Sequence, residues 1–145
     1  MAAQIGKIGC AMNTFFGKKK SGFTVIELMI VLIIVAILVA LAYPSYINYV
    51  RKAKRGEAQQ LLLNWSINQE IWRSNNTTYA STANLPAPNH DYYGFDTLGN
   101  PDATTYTLQA VASGDQENDA ARDGTDCATL TLNQSGVKNP PACWD

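Results

Sequence analysis

One stretch near the N-terminus constrains this chain more than any other. From Leu28 to Tyr43, sixteen consecutive residues (LMIVLIIVAILVALAY) carry no charge, amide or aliphatic hydroxyl, and five more back to Phe23 include only Thr24 and Glu27 as polar residues. As a helix, those residues reach roughly 31 Å, enough to cross the hydrocarbon core of a bilayer. Composition averages hide this concentration. Over 145 residues the hydrophobic share is 46% and the charged share 16%, which argues against a disordered chain or a coiled coil and fits one domain.

Three readings meet at this segment. A secretory signal would use Lys18, Lys19 and Lys20 as its basic region and Ala40-Leu41-Ala42 as its cleavage site. A plain single-span anchor would use the same run without cleavage. Glu27 stands against both, because an unpaired carboxylate at the edge of hydrocarbon costs a few kcal/mol and marks function by default. The third reading starts from that acid. Gly22-Phe23-Thr24-Val25-Ile26-Glu27-Leu28, behind Lys18-Lys19-Lys20-Ser21, resembles the class III leader of type IV pilins and pseudopilins.

The resemblance implies that a prepilin peptidase cuts between Gly22 and Phe23 and methylates the new amine of Phe23. It gives Glu27 the assembly role, and the physics agrees. Glu27 lies four residues beyond Phe23, so on a helix it can neutralise the new amine of its own chain or of a neighbour. A subunit sliding into a filament would favour the register that makes this pair. The positive-inside rule does not choose an orientation, since Lys18 to Lys20 face Arg51, Lys52, Lys54 and Arg55 across the run. The resemblance implies a cytoplasmic N-terminus. Met12 offers a second possible start with the same mature product.

Beyond the run, Pro44 removes one backbone donor and is expected to kink or open the helix. Tyr43, Tyr46 and Tyr49 around it suit an interfacial aromatic belt. From Arg51 to about Ser74 the pattern is helical. Ala58, Leu61, Leu62, Trp65 and Trp72 make one stripe; Leu63, Ile67 and Ile71 make a second on nearly the opposite side. One sheet needs only one stripe. The second is either scattered surface hydrophobicity or a face for helices of neighbouring subunits.

After Ser74, turn formers dominate. Residues 75 to 105 read as a loop-rich connection that Tyr92, Tyr93 and Phe95 pin to the fold, with His90 in solvent. Tyr106 to Ala112 and Ala128 to Leu132 alternate as strands, and Val137-Lys138 begins a short return. The expected class is α+β: a long N-terminal helix, half transmembrane and half amphipathic, on a small antiparallel sheet, as in the pilin fold. The expected division is leader 1–22, membrane and filament-core half 23–50, and head 51–145. So thin a core calls for a staple. Cys127 and Cys143 are the only cysteines beyond the span, and an oxidising compartment would join them. The segment from Cys127 through Asn133-Gln134-Ser135-Gly136 to Cys143-Trp144 resembles the disulfide-bounded C-terminal region of PilE-type minor pilins.

The remaining constellations are weak. Asp115, Glu117, Asp119, Asp123 and Asp126 crowd one turn-rich stretch, but without EF-hand order it reads as a solvated loop and not a calcium site. Asn64, Asn75, Asn76 and Asn133 fit the N-glycosylation pattern, and none is assigned to it. From Gly56 onward three cations face eleven acids, a sum of −8 that argues against nucleic acid as a partner. With one histidine and no nucleophile set, phosphate loop or metal triad, no catalytic residue, metal or cofactor is expected.

The expectation is a structural subunit of a type IV pilus, a minor pilin supporting assembly, adhesion or twitching motility. A type II secretion pseudopilin and a DNA-uptake receptor pilin are the alternatives. Its partners would be other subunits through the N-terminal helix, prepilin peptidase, the inner-membrane assembly platform, and membrane lipid before assembly. It would span the inner membrane once and then appear on the cell surface. Removal of residues 1–22 leaves seven cations against twelve acids, so the whole chain's net charge of −1 becomes −5. It also removes Cys10.

Overall fold

The computed structural model describes residues 22–144. The leader cations Lys18 to Lys20, Cys10 and the two candidate start residues lie outside the described residues. By its contacts the chain forms two units, Met1–Leu38 and Val39–Asp145, divided within one helix, α1 (Val25–Asn75).

In the first unit, the side chains from Phe23 to Leu38 are all exposed. The helix starts with a cap. Thr24 Oγ1 accepts the backbone N–H of Glu27 at 3.2 Å, and the Thr24 carbonyl accepts that of Leu28 at 3.2 Å. Thr24 with Glu27 three residues on is the capping-box pattern, and the carboxylate also sits in the first turn, where the helix dipole favours negative charge.

The second unit holds the rest of α1 and a four-stranded antiparallel sheet in the order β1-β2-β3-β4. Helical structure continues through Pro44. The strands are β1 (Tyr93–Thr97), β2 (Thr107–Ala112), β3 (Thr129–Asn133) and β4 (Lys138–Asn139). In the central pair Leu108 lies opposite Leu132 and Ala110 opposite Leu130, so the two central strands turn buried apolar side chains to one face of the sheet. That face packs with Ala58, Leu62 and Trp65 of α1 in a single core. Val111, on the other face, is exposed. The helix on a small antiparallel sheet is the architecture that the sequence implies.

Several details differ from expectation. β1 falls inside the stretch read as loop, because Gly94 and Asp96 are poor strand formers and mask the alternation. Tyr93 is buried and Phe95 half-buried, but Tyr92 is exposed and pins nothing to the core. On α1 the buried stripe is Arg55, Ala58, Leu62, Trp65 and Gln69, with Leu61 and Trp72 only half-buried. Gln69 can be buried because its amide donates to the Ala80 carbonyl and accepts the Ala80 N–H, both at 2.8 Å, as a strand partner would. Leu63, Ile67 and Ile71 remain exposed.

Between β3 and β4 the Asn133 side chain accepts the backbone N–H groups of Ser135 and Val137, and Gly136 takes a φ of 73°, a value that favours glycine. A disulfide joins Cys127 to Cys143, both fully buried, across a Cα separation of 5.6 Å. Cys127 N–H donates to the Asp119 carbonyl, and the Cys143 carbonyl accepts from Gln59 of α1 at 2.6 Å. The staple therefore ties the acidic stretch and the C-terminal turn to the helix.

Candidate functional site

The first candidate site is the start of α1. Gly22 and Phe23 precede the helix in exposed, non-helical backbone, with Phe23 at 86% exposure. A peptidase needs an accessible, non-helical bond, and this bond is both. Phe23 nitrogen is an amide in this chain and offers Glu27 no charge. Among the described residues Glu27 makes no salt bridge; its backbone N–H is held by Thr24. The cap was legible as T-x-x-E but lay under the stronger leader signal. Beyond it, Val25 to Leu41 presents large aliphatic side chains on every side, none less than about half exposed. Such a surface is stable only in lipid or against other apolar helices.

The second candidate site is the basic turn pair that opens the head. Arg51, Lys52, Lys54 and Arg55 are the only clustered cations of the described chain. Arg51 forks onto Asp115, with Nε donating at 3.2 Å and Nη2 at 2.8 Å, and Nη1 reaches the Asn118 carbonyl at 3.3 Å. Arg55 Nη1 donates to Asp119 at 2.8 Å, and both side chains are buried. Lys54 Nζ lies 3.4 Å from the centre of the Tyr92 ring. Gln116 closes the cluster by donating to the Arg51 carbonyl at 3.0 Å and to the Tyr93 hydroxyl at 3.1 Å. Burial pushes the Tyr93 hydroxyl pKa up.

These contacts refine one expectation and correct another. The acidic stretch is an exposed connection between β2 and β3, as read, but its acids are not free in solvent: Asp115 pairs with Arg51, Asp119 is buried against Arg55, and Asp123 and Asp126 accept the backbone N–H groups of Thr125 and Ala128. Asp123 and Asp126 follow local turn chemistry, and Asp115 and Asp119 follow the four-residue spacing of Arg51 and Arg55, neither of which a sequence period displays. His90 is not in solvent either. Its side chain is 11% exposed, with Nε2 3.2 Å from Glu57 Oε2 and Nδ1 accepting the Tyr92 N–H at 3.1 Å. It fastens the entry to β1 onto α1.

The charge environment of the acids is set by these partners. The hydrogen bond from Arg51 holds the Asp115 carboxyl below its usual range, whereas desolvation pushes Asp119 above it despite Arg55. Elsewhere, Asp102 accepts the backbone N–H groups of Thr104 and Thr105 at 2.6 Å each and is lowered to about 2. Two further cations of the head stand apart from this cluster: Arg73 donates to the carbonyls of Ala103 and Asn76, and Lys138 sits over Trp144 at 5.1 Å.

Comparison with known proteins adds the following. A family model described as type IV minor pilin ComP, DNA uptake sequence receptor, matches residues 44–131, and the prokaryotic N-terminal methylation motif matches residues 17–43. The fimbrial protein EcpC of Eikenella corrodens is 30% identical over 115 residues, which is 73% of this chain and 75% of that protein. A fimbrial protein of Neisseria meningitidis is 40% identical over 74 residues, 46% of this chain and 41% of its own length. The chain thus spans less than half the length of that relative. The solved structure of a type IV pilin from Shewanella oneidensis is 29% identical, with a TM-score of 0.50 over 66% of this chain and 98% of that one.

Proposed function

The chain belongs to the type IV pilin family, and from that premise we propose that it is a minor subunit cleaved after Gly22, N-methylated at Phe23 and polymerised through α1. The observation that carries the reading is the fully exposed apolar surface of the first helical unit, interrupted by one carboxylate, Glu27, in its first turn. In the membrane this surface is satisfied by lipid tails. In a filament it is satisfied by neighbouring helices, and Glu27 becomes the register device: cleavage frees a cation at Phe23, and leaving either charge unpaired in hydrocarbon is costly. The head stays outside the membrane, where an oxidising compartment keeps the disulfide closed. Prepilin peptidase and an inner-membrane assembly platform are the partners this route requires.

Glu27→Ala tests the mechanism cleanly. Thr24 caps the helix through the backbone of residue 27, so the variant keeps the start of α1. Mass spectrometry of the mature N-terminus should still find N-methylated Phe23, while the subunit disappears from sheared filaments. Normal incorporation would overturn the pairing mechanism, and a mature terminus at Tyr43 would overturn the processing altogether.

A second reading is favoured by one specific observation, the match of residues 44–131 to a DNA-receptor family. Charge opposes it. Arg51 and Arg55 are held by acids and Lys54 by an aromatic ring, so the basic cluster offers few free phosphate contacts. Salt-dependent binding of the chain to duplex DNA would establish it; no binding at about 50 mM salt would remove it.

A further inference from the structure

The ion pairs that open the head leave a remainder. Lys52 is exposed and, like Arg122, has no carboxylate within salt-bridge distance among the described residues. These two cations nevertheless meet. They line one recess of about 430 Å³ together with Arg55, Ala121, Asp123 and Ala142. An adjoining hollow of about 580 Å³ shares Lys52, Arg55, Ala121 and Arg122 and runs along the helix to Ser45 and Tyr49.

The back wall is also cationic. Arg55 is 4% exposed and commits Nη1 to Asp119, while a guanidinium carries five N–H donors. Asp119 offsets one of the three cations and Asp123, on the wall with its carboxylate accepting the Thr125 N–H, a second. The recess keeps one positive charge in excess, with Lys52 and Arg122 at its opening, and is too local to track a nucleic-acid backbone.

Its place along the helix selects the source of that anion. Tyr43 ends the apolar run, and Lys52 stands nine residues further on, about 13 Å along the axis. Ser45 and Tyr49 fill the interval. With the apolar run ending at Tyr43, Ser45 at the near end of the hollow falls in the headgroup layer, about 5–7 Å deep, and Lys52 stands beyond it, its long side chain able to reach back to anionic headgroups.

We propose that the recess is a docking site for the phosphate of an anionic phospholipid headgroup, gripped by Lys52 and Arg122 with the free donors of Arg55 behind. The inference rests on the membrane-inserted precursor proposed above. It gives that precursor a specific lipid contact which polymerisation must break.

The experiment uses the full chain in nanodiscs, released into dodecyl maltoside, with bound lipid read by native mass spectrometry. From discs of equal phosphatidylglycerol and phosphatidylcholine, the chain should retain phosphatidylglycerol in preference to phosphatidylcholine. Lys52→Gln with Arg122→Gln should lower that preference by about thirtyfold if each cation acts at ordinary strength. Lys138→Gln, which removes a cation far along the sequence, should leave it unchanged. Equal retention of the two lipids, or an unchanged preference in the double variant, would overturn the proposal. So would displacement of the lipid by an equal concentration of glycerol 1-phosphate, which would make this a free-phosphate site, or duplex DNA binding that depends on Lys52 and Arg122. Failure of the underlying membrane reading looks different, because the chain would then not enter the nanodisc at all.

Discussion

Two turns of the same helix carry the same interaction in different surroundings. Arg51 binds Asp115 and Arg55 binds Asp119; the residues are 64 apart in both pairs, and both nitrogen-to-oxygen distances are 2.8 Å. The first pair has side-chain exposures of 17% and 66%, the second of 4% and 3%. Equal distances therefore do not mean equal consequence. In water an ion pair gains little, because solvent screens it and two long side chains lose freedom. Out of water each charge depends on the other, since either one left alone has no replacement for its lost hydration.

The largest effect should come from breaking the inner pair. Asp119→Ala strands Arg55 in the protein interior and should cost about 3–5 kcal/mol of head stability, read as a fall in the melting temperature of the full chain in detergent. Replacing both partners by apolar side chains, Arg55→Met with Asp119→Leu, should recover most of the loss. If the single variant melted like the wild type, or the double variant recovered nothing, the difference between the two turns would not be one of burial.

A somewhat smaller loss is expected from the staple behind that pair. Cys127→Ala with Cys143→Ala opens a loop of 16 residues and should cost about 3 kcal/mol in the chain-entropy model. Cys127 N–H holds the Asp119 carbonyl at 3.0 Å, so this variant loosens the segment that presents Asp119. Combined with Asp119→Ala, the losses should therefore fall short of additive. Strict additivity would show that the disulfide does not position the buried acid.

Much of this molecule could be read from residues in order. The apolar run, the leader motif and the alternation of Leu108, Ala110, Leu130 and Leu132 each signal through local spacing, and the helix and the central strands follow. The cysteine pair was legible by resemblance and by elimination of Cys10. What stayed hidden depends on contacts between segments far apart in the chain. Nothing in the acidic stretch says that Asp119 will be buried and Asp115 will not. β1 was masked by Gly94 and Asp96, whose strand conformation comes from pairing with Val111 and Gln109 and not from their own preference. His90 looked isolated because Glu57 lies 33 residues away.

The smallest effect, and the finest separation of the two turns, lies in acid. Asp115 is held below its ordinary pKa of 3.8 by Arg51, so its unfolded form binds protons first. Its contribution is present above that pKa and is lost as pH falls through the lower folded value. Asp119 is raised by burial, so between 3.8 and its higher folded value the folded state holds more protons, and its contribution falls as pH rises. Asp102, lowered to about 2 by the threonine N–H groups, adds to the first sign and leaves the comparison between variants intact. Melting profiles from pH 3 to 6 should therefore shift in opposite directions, relative to wild type, for Asp115→Asn and Asp119→Asn. At neutral pH Asp115→Asn should barely move the melting temperature, because the carboxylate it removes is exposed and its pair with Arg51 is screened by solvent. Shifts of the same sign in acid would mean that Arg55 outweighs desolvation at Asp119, and the inner turn would then differ from the outer one in strength only.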